Sequence, residues 1–321
     1  MQILGNLFYA MIFVSAVGSI YCVLSLFANH ILRCMLPLWF CVCGMLLFCV
    51  PVLSWQVVLV SPEKQEWLDG FYTVCRIWSC GCGFLLVSDL IRLVLAKRAV
   101  KNYRICKEER IHNLCRQSGE DIGLKKMPEL YWGTLNHPIC VTGIVRPAII
   151  MNEEILAQLS ESEVSAVLCH ELTHIKRKHF LLQRIYTYVC ILNWMNPFVW
   201  IARGECSLHF ETDCDYHVLR LSRGKITAAD YASAVIRLLE LSAFSAAGSR
   251  KGMGALSFLQ TKRRIQRITA GSSKRKERIT GVLLAILCVI TLGISIQFSR
   301  GYFYPYPAYQ TGTEYSAGYS T

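Results

Sequence analysis

The sequence predicts an α+β membrane protein in which four transmembrane helices carry a cytosolic domain, a small sheet plus helices, inserted between the third and the fourth. Three observations predict it. Of 321 residues, 53% are hydrophobic and only 17% charged, with a mean hydropathy of +0.35, a balance typical of chains that place part of their length in a bilayer. Long apolar runs lie toward both ends and leave a more polar centre. Two basic clusters bracket that centre: ten Lys or Arg against four acids from Arg92 to Lys126, and eight against one from Lys262 to Arg278. By the positive-inside rule both brackets are cytosolic.

Residues 3 to 27 are almost wholly apolar, long enough to cross the hydrocarbon core, and lack the basic lead of a cleaved signal peptide. A link with His30 and Arg33 leads to a second run, 35 to 60, free of Asp, Glu, Lys and Arg. A mildly acidic stretch, 61 to 76, precedes a third run at 77 to 96, and a fourth spans 279 to 298. The predicted organisation is therefore 1–96, a three-helix membrane region; 97–278, the cytosolic domain; 279–298, the last span; and 299–321, a Tyr-rich extracellular tail too short to bury a core. Both termini are then outside, in a bacterial cytoplasmic membrane. Asp89 and Arg92, about a turn apart near the basic end of the third run, read as a pair snorkelling at the interface. The sixteen Cys lie mainly in apolar runs and form no Cys-x-x-Cys array, so they read as reduced and inert.

Within the central region, Glu129–Trp132, Ile139–Thr142 and Ala148–Met151 are β-prone and separated by Gly133, Pro138, Gly143 and Pro147. The prolines favour edge strands, and an exposed edge can bind an extended peptide or merely support its neighbour. Ser160 with Glu163 forms a potential capping box, which predicts a helix starting there. Its third turn carries His-Glu-x-x-His, residues 170 to 174. A spacing of four puts His170 and His174 on one face, where both can bind one Zn2+, with Glu171 beside them as candidate general base. Val164, Val167, Leu168, Leu172 and Ile175 make this helix apolar enough to be buried, and buried His, Glu and His without a metal are hard to satisfy.

The run from Ile185 to Ala202 could pass for another span, but that would leave Glu211 across the bilayer from the imidazoles. It is read instead as one buried or membrane-hugging helix. Glu211 and Asp215 share a helical face, so Glu211 can be a third metal ligand while Asp215 accepts a hydrogen bond from a ligand imidazole. Cys214 points off that face. His209 and His217 are candidate proton donors or transition-state stabilisers, with an ordinary surface role as the alternative. Thr227 and Asp230 open a capped helix, about 228 to 241, that packs the domain through Tyr231, Ala234, Val235, Leu238 and Leu239. Ala246 to Ser257 reads as a flexible loop.

These motifs resemble the BlaR/MecR-type membrane antirepressor metallopeptidases over residues 1 to 298. The marks are His-Glu-Leu-Thr-His at 170 to 174, Asn-Trp-Met-Asn-Pro-Phe-Val-Trp at 193 to 200, Glu-Thr-Asp-Cys-Asp at 211 to 215, and Gly-Ile-Val-Arg-Pro-Ala-Ile-Ile at 143 to 150. The resemblance implies a zincin-like (gluzincin-like) domain with zinc on His170, His174 and Glu211, Glu171 as base, and Asp215 behind a ligand. Antibiotic-sensing members continue into an extracellular penicillin-binding domain, so a short member lacking that sensor is expected. The Ser-x-x-Lys matches at Ser61–Lys64 and Ser273–Lys276 have no such domain around them.

The expected function is a membrane zinc endopeptidase in transmembrane signalling that cleaves a cytosolic protein, by resemblance a winged-helix repressor, or the chain itself. The alternatives are a quality-control metalloprotease of broad specificity and a non-catalytic scaffold stabilised by zinc. Expected partners are the lipid bilayer, the cytosolic substrate, and a separate sensor subunit or a second copy as a homodimer. A net charge of +12 would suit nucleic acid if it were spread over a soluble domain. Here it flanks membrane runs, so no direct nucleic-acid binding is expected.

Overall fold

The computed structural model describes residues 15–16, 18–24, 65–134, 139–144, 146–221, 227–246, 261–266 and 268, and residues 279, 281–283, 285–286 and 289–290 of the last apolar run. The expected second span, most of the first and fourth, the Ala246–Ser257 loop beyond its first residue, both Ser-x-x-Lys matches and the tail lie outside the described residues. The described parts of the first and fourth runs are helical.

Helix α1, Gln65–Val100, has no proline and ends on Lys97 and Arg98, whose charges complement the helix dipole. Its segment Asp69–Val100 is long and apolar enough to cross a membrane. Phe84 is 72% and Leu95 57% exposed, an apolar surface that nothing among the described residues covers. The helix begins twelve residues before the expected start of the third run, because Asp69 and Arg76 are tolerated on its exposed side.

Four strands follow: β1 Arg104–Ile105, β2 Glu129–Trp132, β3 Ile139–Thr142 and β4 Ala148–Met151. The last three match the expected runs; β1, and helix α2 at Glu109–Asp121, were not foreseen. The sheet is mixed, in the order β1-β2-β4-β3, with β2 and β4 parallel and the other pairs antiparallel. Pro138 lies before the edge strand β3 as expected, but Pro147 precedes the interior strand β4, where it is outside the ladder and need not donate. The β3–β4 turn uses Gly143 at φ +86, where a Cβ would lie 2.4 Å from the Arg146 carbonyl oxygen, so only glycine fits.

Asn152 caps a short helix α3, Glu153–Leu156, and Ser160 caps α4, Glu161–Lys176, with both arms of the capping box formed. Helix α4 lies between the sheet and the later helices. Its Leu168 and Leu172, both fully buried, join Ile111 and Cys115 of α2 and Ile149 and Met151 of β4 in one core. Burying a leucine contributes about 1.5–3 kcal/mol, which fixes the rotation of α4 and therefore which face its imidazoles present.

The run expected to form one helix over Ile185–Ala202 is instead a helical hairpin: α5, His179–Leu192, and α6, Pro197–Leu221. The Asn196 side chain accepts from the Phe198 N–H at 2.9 Å, and Pro197 at the first helical position has no N–H to lose. This reversal brings α6 back along α5 and onto α4, so Glu211 returns to the side of His170. Helix α5 also packs on α1: Trp78 Nε1 donates to the Leu192 carbonyl at 2.9 Å, and a Cβ at Gly81 would lie 2.5 Å from the Trp194 ring. Asp89 accepts twice from Arg184 of α5, at 2.7 and 2.9 Å. The expected Asp89–Arg92 pair is thus corrected: one terminal nitrogen of Arg184, on the packed neighbouring helix, faces both Asp89 oxygens. Helix α7, Ala228–Ala246, is capped by Thr227 and Asp230 and buries Tyr231, Ala234 and Val235 against α4. It extends five residues past its expected end.

Candidate metal centre

Helix α4 buries His170 and His174 at 7% and 5% exposure. Their Nε2 atoms lie 3.2 Å apart. The hairpin brings Glu211 of α6 to both, Oε2 3.4 Å from His170 Nε2 and Oε1 3.5 Å from His174 Nε2. Metal bonds of about 2.0–2.2 Å in tetrahedral geometry require ligand-to-ligand edges of about 3.3–3.6 Å. The 3.2 Å between the imidazoles falls just short of that range, and the two Glu211 distances lie within it, each to a different carboxylate oxygen.

Behind this face the expected helper Asp215 lies 3.3 Å from His170 Nδ1. Tyr231 donates to Asp215 at 2.9 Å, and its oxygen is 3.1 Å from His170 Nδ1. Because the phenol spends its proton on the carboxylate, its oxygen can accept from His170, which leaves Nε2 as the ligating atom. Arg264, on helical residues 261–266, donates to Asp215 at 2.7 and 3.0 Å and pairs with Glu211 at 2.9 Å. Burial would raise the Asp215 carboxyl, yet Arg264 and His170 hold it well below the usual range. Glu211 is likewise held down, to about 2, against its own burial by His170 and Arg264.

Burial disfavours charge on both imidazoles, but Asp215 and Glu211 raise His170 to about 10, while burial and the charged His170 push His174 down to about 3. Burial pushes Glu171 up to about 7, partly countered by His170 and assisted by Glu211. That value suits an acceptor working near neutrality. Burial raises the Cys140 thiol, with Glu171 a smaller contributor, and the helix that carries Glu171 packs against the edge strand β3.

Other candidates take different places. His217 Nε2 is 4.0 Å from Asp213 and turned toward that carboxylate; burial, more than the opposing pull of Asp213, lowers it. His209 is 1% exposed, so the expected surface alternative for it is corrected: its position on α6 faces the packed interior. Among the described residues, His170, His174 and Cys214 have donor atoms within 4.8 Å of one another. The thiol's nearest partner is His179 Nδ1 at 3.5 Å, and His179 Nδ1 lies 3.1 Å from His174 Nδ1. Cys214 thus sits among His170, His174 and His179, with His179 rather than a ligand imidazole as its hydrogen-bond partner. Residue reasoning overlooked His179 and assigned Tyr231 to packing and Arg264 to topology. A histidine five residues after the motif was the one visible signal; Arg264 had none.

The profile of the family described as BlaR1 peptidase M56 matches residues 53–268. The regulatory protein BlaR1 of Bacillus licheniformis is 27% identical over 161 residues, 50% of this chain and 26% of that protein. The methicillin resistance mecR1 proteins of Staphylococcus aureus and Staphylococcus epidermidis are each 22% identical over 170 residues, 50% of this chain and 28% of theirs. The chain spans about a quarter of the length of these relatives.

Proposed function

The chain belongs to the BlaR1 peptidase M56 family, and from that premise we propose that it is an integral-membrane zinc endopeptidase that cleaves a cytosolic protein during transmembrane signalling. The observation that carries this reading is the triangle of His170, His174 and Glu211, whose edges of 3.2, 3.4 and 3.5 Å suit one tetrahedral cation. Three protein ligands leave a position free, as catalysis requires and a closed structural site does not. Bound there, zinc supplies Lewis acidity to the scissile carbonyl and to water. Glu171 accepts the water proton and delivers it to the leaving amine, and Arg264, Tyr231 and Asp215 keep His170 and Glu211 oriented. An extended substrate pairs with the edge strand β3, against which α4 packs.

In this reading the chain has four spans, with residues 97–278 cytosolic and both termini outside. Its substrate is a winged-helix repressor or the chain itself, and its input comes from a separate sensor or a second copy. A zinc-stabilised scaffold is the rival that Cys214 favours, since a fourth, thiolate ligand would close the site. The test is Glu171→Gln in the purified full-length chain. Cleavage of a cytosolic substrate should fall by about 10²–10⁴-fold with zinc content unchanged; undiminished cleavage rejects the mechanism. A thiolate-to-metal charge-transfer band in the cobalt-loaded chain would favour the scaffold.

A further inference from the structure

We propose that His179 and Asp213 form a second outer chain behind the metal triangle, fixing the proton of His174 on Nδ1 and turning its Nε2 lone pair toward the metal. The inference rests on the reading of His170, His174 and Glu211 as ligands and deepens it. A metal-binding imidazole needs an acceptor for its other ring N–H, which sets tautomer and orientation. For His170 that acceptor is Asp215 with Tyr231. His174 has a different neighbour: its Nδ1 meets His179 Nδ1 at 3.1 Å.

Two imidazole nitrogens in contact require one donor and one acceptor. His179 Nε2 and Asp213 Oδ2 are both buried, neither makes a hydrogen bond among the described residues, and they face each other at 3.5 Å. A carboxylate only accepts, and Arg177 pairs with Asp213 and keeps it charged. The proton of a neutral His179 therefore belongs on Nε2, its Nδ1 is bare, and His174 must donate from Nδ1. The lone pair left on His174 Nε2 points at His170 Nε2 and Glu211.

The local fold is built to hold this contact. Lys178 adopts φ 56 and ψ 33 between α4 and α5, a left-handed conformation that is unfavourable for a residue with a side chain. Strain of this kind persists where the surroundings overdetermine it. The sharp turn sets His179 back against His174, fully buried, its ring stacked on Phe210 of α6 at 4.7 Å and 27°. One helix, α6, thus supplies Asp213 and Asp215 to the two imidazoles, directly for His170 and through His179 for His174, each carboxylate anchored by an arginine.

His179→Phe tests this, because it keeps the stacked ring and removes both nitrogens. In the full-length chain in detergent, zinc is titrated against a chromophoric chelator and the cobalt d–d spectrum recorded, beside wild type and His174→Ala. We expect His179→Phe to weaken zinc binding about 10–100-fold and to shift the cobalt bands. His179→Gln should recover most of the loss, since its carboxamide oxygen can accept from His174 and its amide donate to Asp213. If His174→Ala binds zinc like wild type, the ligand reading falls. If His174→Ala loses zinc and His179→Phe does not, the outer chain falls while the ligands stand. Should His179→Phe fail to fold, Asp213→Leu is read in its place, and unchanged affinity there overturns the proposal.

Discussion

Replacing Arg264 with methionine should unfold the metal-free chain at a distinctly lower temperature. Arg264 makes two bonds to Asp215, at 2.7 and 3.0 Å, and one contact with Glu211 at 2.9 Å. The Asp215 side chain is only 3% exposed, so water cannot replace the guanidinium. Leaving one partner of a buried pair unmatched costs about 3–5 kcal/mol. Tyr231 and His170 remain on Asp215, which favours the lower end. For a folded unit of 150–250 residues each kcal/mol moves Tm by about 2–4 °C, giving a drop of about 6–20 °C. The assay is thermal unfolding of the full-length chain in detergent with a chelator throughout, so that bound metal cannot neutralise Glu211. Arg264→Lys should fall between, because it keeps the charge and loses the planar fork. A change under about 2 °C would refute the reasoning: helical residues 261–266 would not then be docked on α6, and the carboxylates would be hydrated.

Three further outcomes are expected from the same unfolding measurement. Ser160→Ala removes the cap of α4 and should cost about 0.5–2 kcal/mol. Although partial burial pushes the other way, the Ser160 N–H and hydroxyl hold the Glu163 carboxyl below its ordinary 4.5; a lowered folded value means its stabilisation is present above about pH 4.5 and lost as pH falls below it, so the gap between wild type and Ser160→Ala should narrow in acid while the part due to the Glu163 N–H bond to the Ser160 hydroxyl persists. Leu168→Ala, at a fully buried position on the core side of α4, should cost about 2–5 kcal/mol, read as a fall in Tm with the cobalt spectrum retained. Asp89→Asn takes the counter-charge from Arg184 and should cost about 1.5–3 kcal/mol, whereas Arg92→Gln, outside that pair, should leave Tm unchanged.

Much of the site was legible because it is local. His170, Glu171 and His174 occupy one turn of a helix whose cap and apolar face are written in the same sixteen residues, Glu161–Lys176. Glu211 and Asp215 share a face by spacing alone, and three of the four strands coincide with β-prone runs bounded by Gly and Pro. Strand β1 was not legible: two exposed residues, Arg104 and Ile105, carry no alternation to read. The break between α5 and α6 was missed because the apolar run continues through it, and only the Asn196 cap before Pro197 marks the reversal.

Sequence by itself determined the chemistry on offer: a helical pair of imidazoles with a carboxylate between them, a later acid pair on one face, and apolar runs flanked by basic residues. Periodicity and side-chain type act over a few residues, and those features need no more than that. Only the tertiary structure decided which charges meet. Arg264, one of eight basic residues in its cluster, is among the described residues the one that pairs with Asp215; Asp89 pairs across helices with Arg184; and His179 comes back on His174 through a left-handed residue. Partners 49, 95 and 5 positions apart are selected by how buried surfaces pack and by the cost of leaving a buried charge alone, and neither can be read from neighbours along the chain.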